Sequence, residues 1–162
     1  MTQLRELYRC EVCGNIVEIV HEGMPALVCC GKPMVKLQAK TKDKGEEKHV
    51  PVIECPDKVK AGEVVKVSVG LGKAVEHPNT TAHHISNVQV FFSPDDDKFT
   101  YELGRFEFNA HGESVEGADA GPVYTHHEVT LAFKTSKAGT LHAVSLCNIH
   151  GLWESWKRVE VE

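Results

Sequence analysis

From about residue 49 onward, hydrophobic and polar residues alternate with the period of two that is typical of β-strands. The segments with this pattern predict strands at 64–69, 87–92, 100–108, 128–133, 141–147 and 156–161, and a further strand is expected near 50–53. Clusters of Gly, Pro and Asp separate them, and the phase changes at Gly104, which indicates a β-bulge. About seven strands without a convincing amphipathic helix predict an all-β fold, an antiparallel β-sandwich of immunoglobulin-like type.

The first 37 residues have a different pattern, in which short apolar segments alternate with glycine and proline turns. A module of under about 40 residues rarely builds enough core to fold without a metal ion or a disulfide. Residues 38–48 are polar and charged and have no apolar face, as in a linker or an exposed loop. The predicted organisation is therefore a small module at 1–37, a linker at 38–48 and the sandwich at 49–162.

Composition narrows the class of protein. The chain has 162 residues, 41% of them hydrophobic, and a formal net charge of −5, which argues against a broad nucleic-acid-binding surface. No apolar run approaches the roughly 20 residues of a membrane span, and the N-terminal stretch lacks the apolar core of a signal peptide. We therefore expect a cytoplasmic protein that binds neither nucleic acid nor a membrane.

Six cysteines in a cytoplasmic chain indicate metal or redox chemistry rather than disulfides. Four of them follow the spacing C-x2-C-x15-CC, namely Cys10, Cys13, Cys29 and Cys30. Four thiolates suit a tetrahedral zinc or iron ion. The adjacent pair requires a sharp bend of the backbone, for which the following Gly31 offers freedom. Spacing alone leaves both metals open: zinc would only hold the fold, whereas iron could also carry an electron.

A second group of candidate ligands lies in the predicted sandwich. Four histidines fall at strand ends or in loops, and Cys147 precedes the last of them by three residues; the histidines are His49, His77, His83 and His150. A thiolate with several imidazoles suits iron, copper or zinc. Blue copper sites usually have an axial methionine, and all three methionines lie in the first 34 residues. Five protein ligands would leave an octahedral ion one open position for a small substrate.

The other histidines have no cysteine or partner motif nearby, and we interpret them as structural or surface groups. They are His21, His84, His111, His126, His127 and His142. Cys55 matches no motif and is interpreted as a small core residue.

Four motifs in this order, CEVC with CC, EKHVP, HPNTTAHHI and CNIHGLW, resemble those of the desulfoferrodoxins, the two-iron superoxide reductases. The resemblance covers nearly the whole chain. It implies two iron ions per chain. A desulforedoxin-like module would hold a rubredoxin-like Fe(Cys)4 centre on the four N-terminal cysteines, which related one-iron enzymes lack. The sandwich would hold a catalytic Fe(His)4(Cys) centre, with the four histidines as equatorial ligands and Cys147 as the axial thiolate.

The resemblance also implies an activity, the reduction of superoxide by one electron and two protons to hydrogen peroxide. Lys48, which precedes His49, is predicted to steer the anion, since residues 32–48 hold six lysines against three acids. Glu47 resembles the family glutamate that can occupy the open position of the oxidised iron. An electron donor such as rubredoxin and a homodimer are implied as partners.

Three alternatives from other classes stay open at the level of the sequence. A pure electron carrier would have two closed metal sites and would bind no azide or cyanide. A superoxide dismutase would release dioxygen and need no electron donor. A zinc-stapled β-sandwich interaction protein would contain no iron.

Overall fold

The structure, a computed structural model, describes residues 1–3, 6–19, 21–23, 26–45 and 47–162. Glu46, one acid of the lysine-rich segment, lies outside the described residues. The chain divides into two compact units, Met1–Gln38 and Ala39–Glu162. The described residues form β-strands and turns and contain no helix long and apolar enough to cross a membrane. The all-β prediction is confirmed.

The first unit is built from very short strands. They are β1 (Leu7–Arg9), β2 (Ile16–Glu18), β3 (Val28–Cys29), β4 (Lys32–Pro33) and β5 (Val35–Lys36). β1 pairs with β2 and β5 in one antiparallel sheet, and β3 pairs with β4 in a hairpin. Among the described residues of this unit, only Thr2, Cys10 and Ile19 are buried. A core this small does not hold the unit together without a metal ion or a disulfide, as expected from the length of the module.

The second unit is a sandwich of two sheets. Its strands are β6 (Val52–Glu54), β7 (Lys58–Val59), β8 (Val64–Gly70), β9 (Ile85–Pro94), β10 (Tyr101–Glu107), β11 (Glu128–Lys134), β12 (Gly139–Cys147) and β13 (Gly151–Val161). One sheet has the order β10-β9-β12-β13-β7 and the other β11-β8-β6. All pairs are antiparallel except β13 with β7. The sequence predicts each of these strands except β7, which has two residues and is too short to show a period.

The core lies between the two sheets and follows the alternation of the sequence. In β8, Val65, Val67 and Val69 are buried, and in β9 the in-phase residues Val88 and Val90 are buried with them. Leu141, Ala143 and Val159 of the same cluster come from β12 and β13. The register of β10 on β9 shifts between Glu102 and Gly104, which confirms the predicted bulge.

The strand register brings three chain segments to one end of the sandwich. Val52, at the start of β6, pairs with Gly70 at the end of β8. Cys147, at the end of β12, pairs with both Ile85 at the start of β9 and Gly151 at the start of β13. The segment before β6, the loop 71–84 and the turn 148–150 therefore meet at this end. These are the segments that carry the candidate histidines.

Candidate metal centres

The four N-terminal cysteines lie together at two turns. Cys10 and Cys13 belong to the turn between β1 and β2, while Cys29 ends β3 and Cys30 follows it. Their Sγ atoms all lie within 4.8 Å of one another. The Sγ–Sγ distance is 3.6 Å from Cys13 to Cys29 and 3.9 Å from Cys29 to Cys30. Thiolates at the corners of a tetrahedron, each about 2.3 Å from a central ion, stand about 3.8 Å apart. The spacing therefore fits one metal ion.

The adjacent pair reaches a common point because the backbone bends sharply. Cys30 has a φ of 52° and Gly31 a φ of 72°, so both residues are in the left-handed region. Residues with a side chain rarely adopt this conformation, and glycine adopts it freely. The sharp bend that the CC pair requires is therefore present, and it is formed by Cys30 and Gly31.

The protonation of these thiols differs from that of isolated cysteines. Backbone N–H groups of Cys13 and Val12 lower the pKa of Cys10 to about 6. The neighbouring sulfur atoms, that of Cys13 first, raise the pKa of Cys30 to about 12. A thiolate forms readily at one position and then hinders ionisation at the others. A bound cation removes this repulsion, so the cluster favours a metal ion over four free thiols.

In the second unit, the four candidate histidines close into a square. Neighbouring ring centroids are 4.7 Å apart for His49–His77 and His77–His83, and 4.8 Å for His83–His150 and His49–His150. The planes of neighbouring rings cross at 72–83°. Across the diagonal, the rings of His49 and His83 are 6.3 Å apart. A closed square of rings is the arrangement expected of four imidazoles around one ion.

Cys147 joins this square with its sulfur atom. Donor atoms of Cys147, His49, His83 and His150 all lie within 4.8 Å of one another, and His77 completes the square by the position of its ring. Nε2 of His49 is 3.0 Å from Nδ1 of His150, and that nitrogen is 3.5 Å from Sγ of Cys147. Two imidazole nitrogens bound at right angles to one ion, at about 2.1 Å each, are also about 3.0 Å apart.

The sulfur of Cys147 is buried, yet the backbone supports its ionised form. The N–H of His150 donates a hydrogen bond to Sγ at 3.4 Å. Burial raises the pKa of Cys147, and the N–H groups of His150 and Ile149 act against that rise. A ligand thiolate needs such donors, because no water reaches it.

Four buried side-chain nitrogens have no hydrogen-bond partner among the described residues, and two of them belong to the square, Nε2 of His77 and Nε2 of His83. The other two are Nε2 of His127 and Nε1 of Trp153. Nδ1 of His77 lies 2.7 Å from the carbonyl oxygen of Pro78, and because a carbonyl can only accept, Nδ1 carries the proton and Nε2 keeps its lone pair. Burial lowers the pKa of His77 to about 3, so the ring is neutral at physiological pH. Buried neutral nitrogens without a partner fit a metal ion.

A carboxylate and an indole hold His49 in place. Nδ1 of His49 donates to Oδ2 of Asp43 at 2.6 Å. On its face, the ring stacks on Trp153 with centroids 4.4 Å apart and planes at 13°. The ammonium of Lys40 lies 4.7 Å from the centre of the Trp153 ring and donates to the carbonyl oxygen of His150 at 2.8 Å. Asp43 and Lys40 belong to the segment interpreted as a linker or exposed loop.

Asn148 ties the turn of Cys147 to the histidine loop. Its side-chain oxygen accepts the N–H of His84 at 3.0 Å, and its side-chain nitrogen donates to the carbonyl oxygen of Ala82 at 2.9 Å. Its own N–H donates to the carbonyl oxygen of His84 at 3.1 Å. Sequence reasoning missed the parts played by Asn148 and Trp153, although both lie within the CNIHGLW motif.

The two predicted catalytic residues differ in their contacts. The pKa of His83 is lowered first by burial, then by His150 and His49, and then by the charge of Lys48. The ammonium of Lys48 therefore contributes to the electrostatic field at the square of histidines. The carboxylate of Glu47 accepts the N–H of Asp43 at 3.0 Å and that of Val50 at 3.1 Å. Glu47 is therefore turned to the backbone. The catalytic roles of both residues stay predictions.

The remaining histidines and Cys55 lie outside both clusters of metal-ligating side chains found among the described residues. His84 stacks on His111 with centroids 3.6 Å apart, and His142 stacks on Trp156 at 5.2 Å. His127 is buried beside Phe108. Cys55 is half-buried and packs against the hydrophobic core.

Comparison with known proteins shows the same two parts. The family model "Desulfoferrodoxin, N-terminal domain" matches residues 2–37, and the family model "Desulfoferrodoxin" matches residues 41–156. The superoxide reductase of Pyrococcus furiosus is 52% identical over 67% of this chain and 86% of its own length. A desulfoferrodoxin homologue of Archaeoglobus fulgidus is 39% identical over 96% of this chain and 99% of its own, so that likeness extends through both units.

Among solved structures, the reduced superoxide reductase (neelaredoxin) of Archaeoglobus fulgidus is similar in fold. It is 48% identical, covers 75% of this chain and 98% of its own, and has a TM-score of 0.69.

A β-sandwich with a cluster of four histidines and one cysteine at one end, preceded by a four-cysteine module, defines a metalloprotein with two mononuclear centres. The chain belongs to the desulfoferrodoxin family. The family and the two clusters support two iron centres, and the donor spacing, the neutral rings and the buried nitrogens without partners all fit such ions.

Proposed function

We propose that this protein is a superoxide reductase, in which one superoxide takes up one electron and two protons and becomes hydrogen peroxide without release of dioxygen. The observation that carries this proposal is the square of four imidazoles with Cys147 beside it. The site is accessible, since His150 is exposed and His83 is half-buried. Iron bound there supplies one-electron chemistry between its ferrous and ferric states. The similar proteins from Pyrococcus furiosus and Archaeoglobus fulgidus carry the same activity in their names.

The ligand set suits an anionic substrate. Neutral imidazoles add no charge, so Cys147 supplies the single negative charge of the five side chains. A divalent ion in this set keeps a net positive charge and attracts superoxide. The Cys147 thiolate donates electron density, and the N–H of His150 limits that donation through its hydrogen bond to the sulfur.

We further propose that Lys48 steers superoxide to the site and that Glu47 covers the open position of the oxidised iron. The charge of Lys48 already lowers the pKa of His83 and of His150, after the larger effect of burial. An acidic chain benefits from such a local positive field. For its role, the Glu47 carboxylate must release the N–H groups of Asp43 and Val50.

The reaction consumes one electron per superoxide, so the protein needs a reduced donor such as rubredoxin. We propose a cytoplasmic location, supported by six cysteines that form no disulfide. We also propose a homodimer. Its support is the apolar surface of the small N-terminal unit, where Val12 is 57% exposed and Val28 61% exposed.

The yield of hydrogen peroxide tests the activity. With a reduced donor, the iron-loaded protein should form one hydrogen peroxide for each superoxide, whereas a dismutase forms one for every two and releases dioxygen. Cys147→Ser should lose this activity, and Cys55→Ser, the matched control outside both clusters, should keep it. A yield of one peroxide per two superoxides without any donor would show dismutation instead.

A further inference from the structure

We propose that Asp43 is a positioning residue for the catalytic iron: its carboxylate fixes the tautomer and orientation of His49 and strengthens this ligand. The inference rests on the proposed function only in taking His49 as an iron ligand. Asp43 belongs to the charged stretch before the sandwich and matches none of the motifs that identify the family.

The contact between the two side chains is short and shielded from water. Oδ2 of Asp43 lies 2.6 Å from Nδ1 of His49, and the side chains are 13% and 3% exposed. Hydrogen bonds to a charged group are stronger than neutral ones, and more so where water is excluded. The pair is therefore a strong contact rather than a loose surface ion pair.

The backbone holds the Asp43 carboxylate at this place. Oδ1 accepts the N–H of Lys44 at 3.0 Å, and Oδ2 accepts the N–H of Lys48 at 3.4 Å. The N–H of Asp43 is itself bound by the carboxylate of Glu47 at 3.0 Å. Stacking on Trp153 restricts His49 from its face. The carboxylate and the ring thus meet in a fixed geometry.

The chemistry of the contact follows from its donor and acceptor. An ionised carboxylate can only accept, so Nδ1 of His49 carries the proton and Nε2 keeps its lone pair free for a metal ion. This Nε2 lies 3.0 Å from Nδ1 of His150. Among the described residues, His49 alone of the four ring ligands has a carboxylate partner, whereas His77 donates to a neutral carbonyl. A carboxylate on the far nitrogen makes an imidazole a better electron donor. Better donation favours ferric over ferrous iron and lowers the reduction potential.

Iron release and the reduction potential test this role apart from activity. Asp43→Asn removes the charge and keeps an acceptor, and Asp43→Ala removes both. With a ferrous-iron chelator as the probe, Asp43→Ala should weaken iron binding at the histidine site by about 10-fold to 100-fold, and Asp43→Asn by less. The potential of this site should rise in both variants. Asp57→Asn, at an exposed aspartate paired with Lys157, is the matched control and should leave both quantities unchanged.

The iron of the four-cysteine centre in the same chain serves as an internal reference, since neither substitution touches its ligands. If Asp43→Ala fails to fold, Asp43→Asn decides, because the amide has nearly the same size and can accept from Nδ1. Iron release and potential equal to those of the wild type in Asp43→Asn would overturn the proposal. A wild-type chain that binds no iron at the histidine site would instead contradict the proposed function, and the two failures are distinguishable.

Discussion

At the scale of single residues, the unpaired ring nitrogens of His77 and His83 link metal binding to stability. Leaving a buried polar atom unpaired costs about 1–3 kcal/mol, and the structure has this arrangement at Nε2 of both His77 and His83. Iron binding removes that cost, so a part of the stability of the second unit depends on the metal.

The charge of Lys48 leads to a prediction about rate. Replacing Lys48 with Gln should slow the second-order reaction with superoxide by about tenfold and weaken its dependence on salt, because local fields raise association rates by roughly 10–1000-fold. Lys66→Gln, at an exposed position of β8, is the control and should have no effect. Pulse radiolysis at several ionic strengths measures both quantities. A rate and salt dependence equal to those of the wild type would rule out steering by Lys48.

His111 leads to a prediction about pH. Burial, followed by the charge of His84, lowers the pKa of His111 below its ordinary 6.5. The unfolded chain then binds the proton more readily than the folded one, so His111 costs stability as the pH falls below about 6.5. As the pH is lowered from about 7.5 to about 5.5, the stability of His111→Gln should therefore increase relative to that of the wild type. Denaturant midpoints at each pH measure this difference.

The control for His111 is His126→Gln, whose side chain is 88% exposed. This variant measures how a His→Gln substitution at the surface changes the denaturant midpoints. Parallel stability profiles for His111→Gln and the wild type would contradict the prediction.

At the scale of elements, β8 carries the alternation on which the sandwich depends. Val67 is completely buried, whereas Val64 of the same strand is 58% exposed. Val67→Ala should lower the free energy of unfolding by about 2 kcal/mol, since a buried side chain loses both its transfer energy and its packing. Val64→Ala should change it by less than about 0.5 kcal/mol. Denaturant titration of the iron-loaded protein measures the free energy of unfolding of both variants. Equal losses in the two variants would contradict the assignment of Val67 to the core.

The sequence predicts strands such as β8 because one face packs on the core, and burial of one face imposes a period of two. β9 is buried on both faces, but its sequence still alternates, with the polar Asn87 and Gln89 each followed by a valine. The sequence misses β7, whose two residues show no period. It also indicates the candidate ligands, because Cys and His are the residue types that bind iron. It does not indicate Asp43, because an acid in a lysine-rich stretch looks solvated until the fold brings it to His49. The sequence does not indicate the contacts of Asn148 and Trp153 either, since these residues contact segments that are distant in the chain.

At the scale of the whole molecule, the chain combines two units with separate ligand sets. The four cysteines of the first cluster lie within Met1–Gln38, and the histidines and Cys147 of the second lie within Ala39–Glu162. The domain boundaries at 37 and 48 stay predictions, although the second compact unit already includes Ala39.

The separation of the ligand sets leads to a prediction about iron content. Cys30→Ser should lower the iron content from two ions per chain to one, because the tetrahedral set loses one of its four sulfurs. The absorption of the remaining thiolate–iron centre at Cys147 should stay as in the wild type. Cys55→Ser, the matched control, should keep both ions. Loss of both ions in Cys30→Ser would mean that the second cluster depends on the first. Iron analysis with visible spectra measures this.

The stacking of Trp153 on His49 gives the protein a built-in optical reporter. The chain has two tryptophans, and Trp156 is 52% exposed, so its emission lies at longer wavelength. The buried indole of Trp153 stacks on His49, a proposed iron ligand, and its emission should be quenched when the ion binds. Fluorescence at short wavelength should therefore report metal binding at the histidine site in real time.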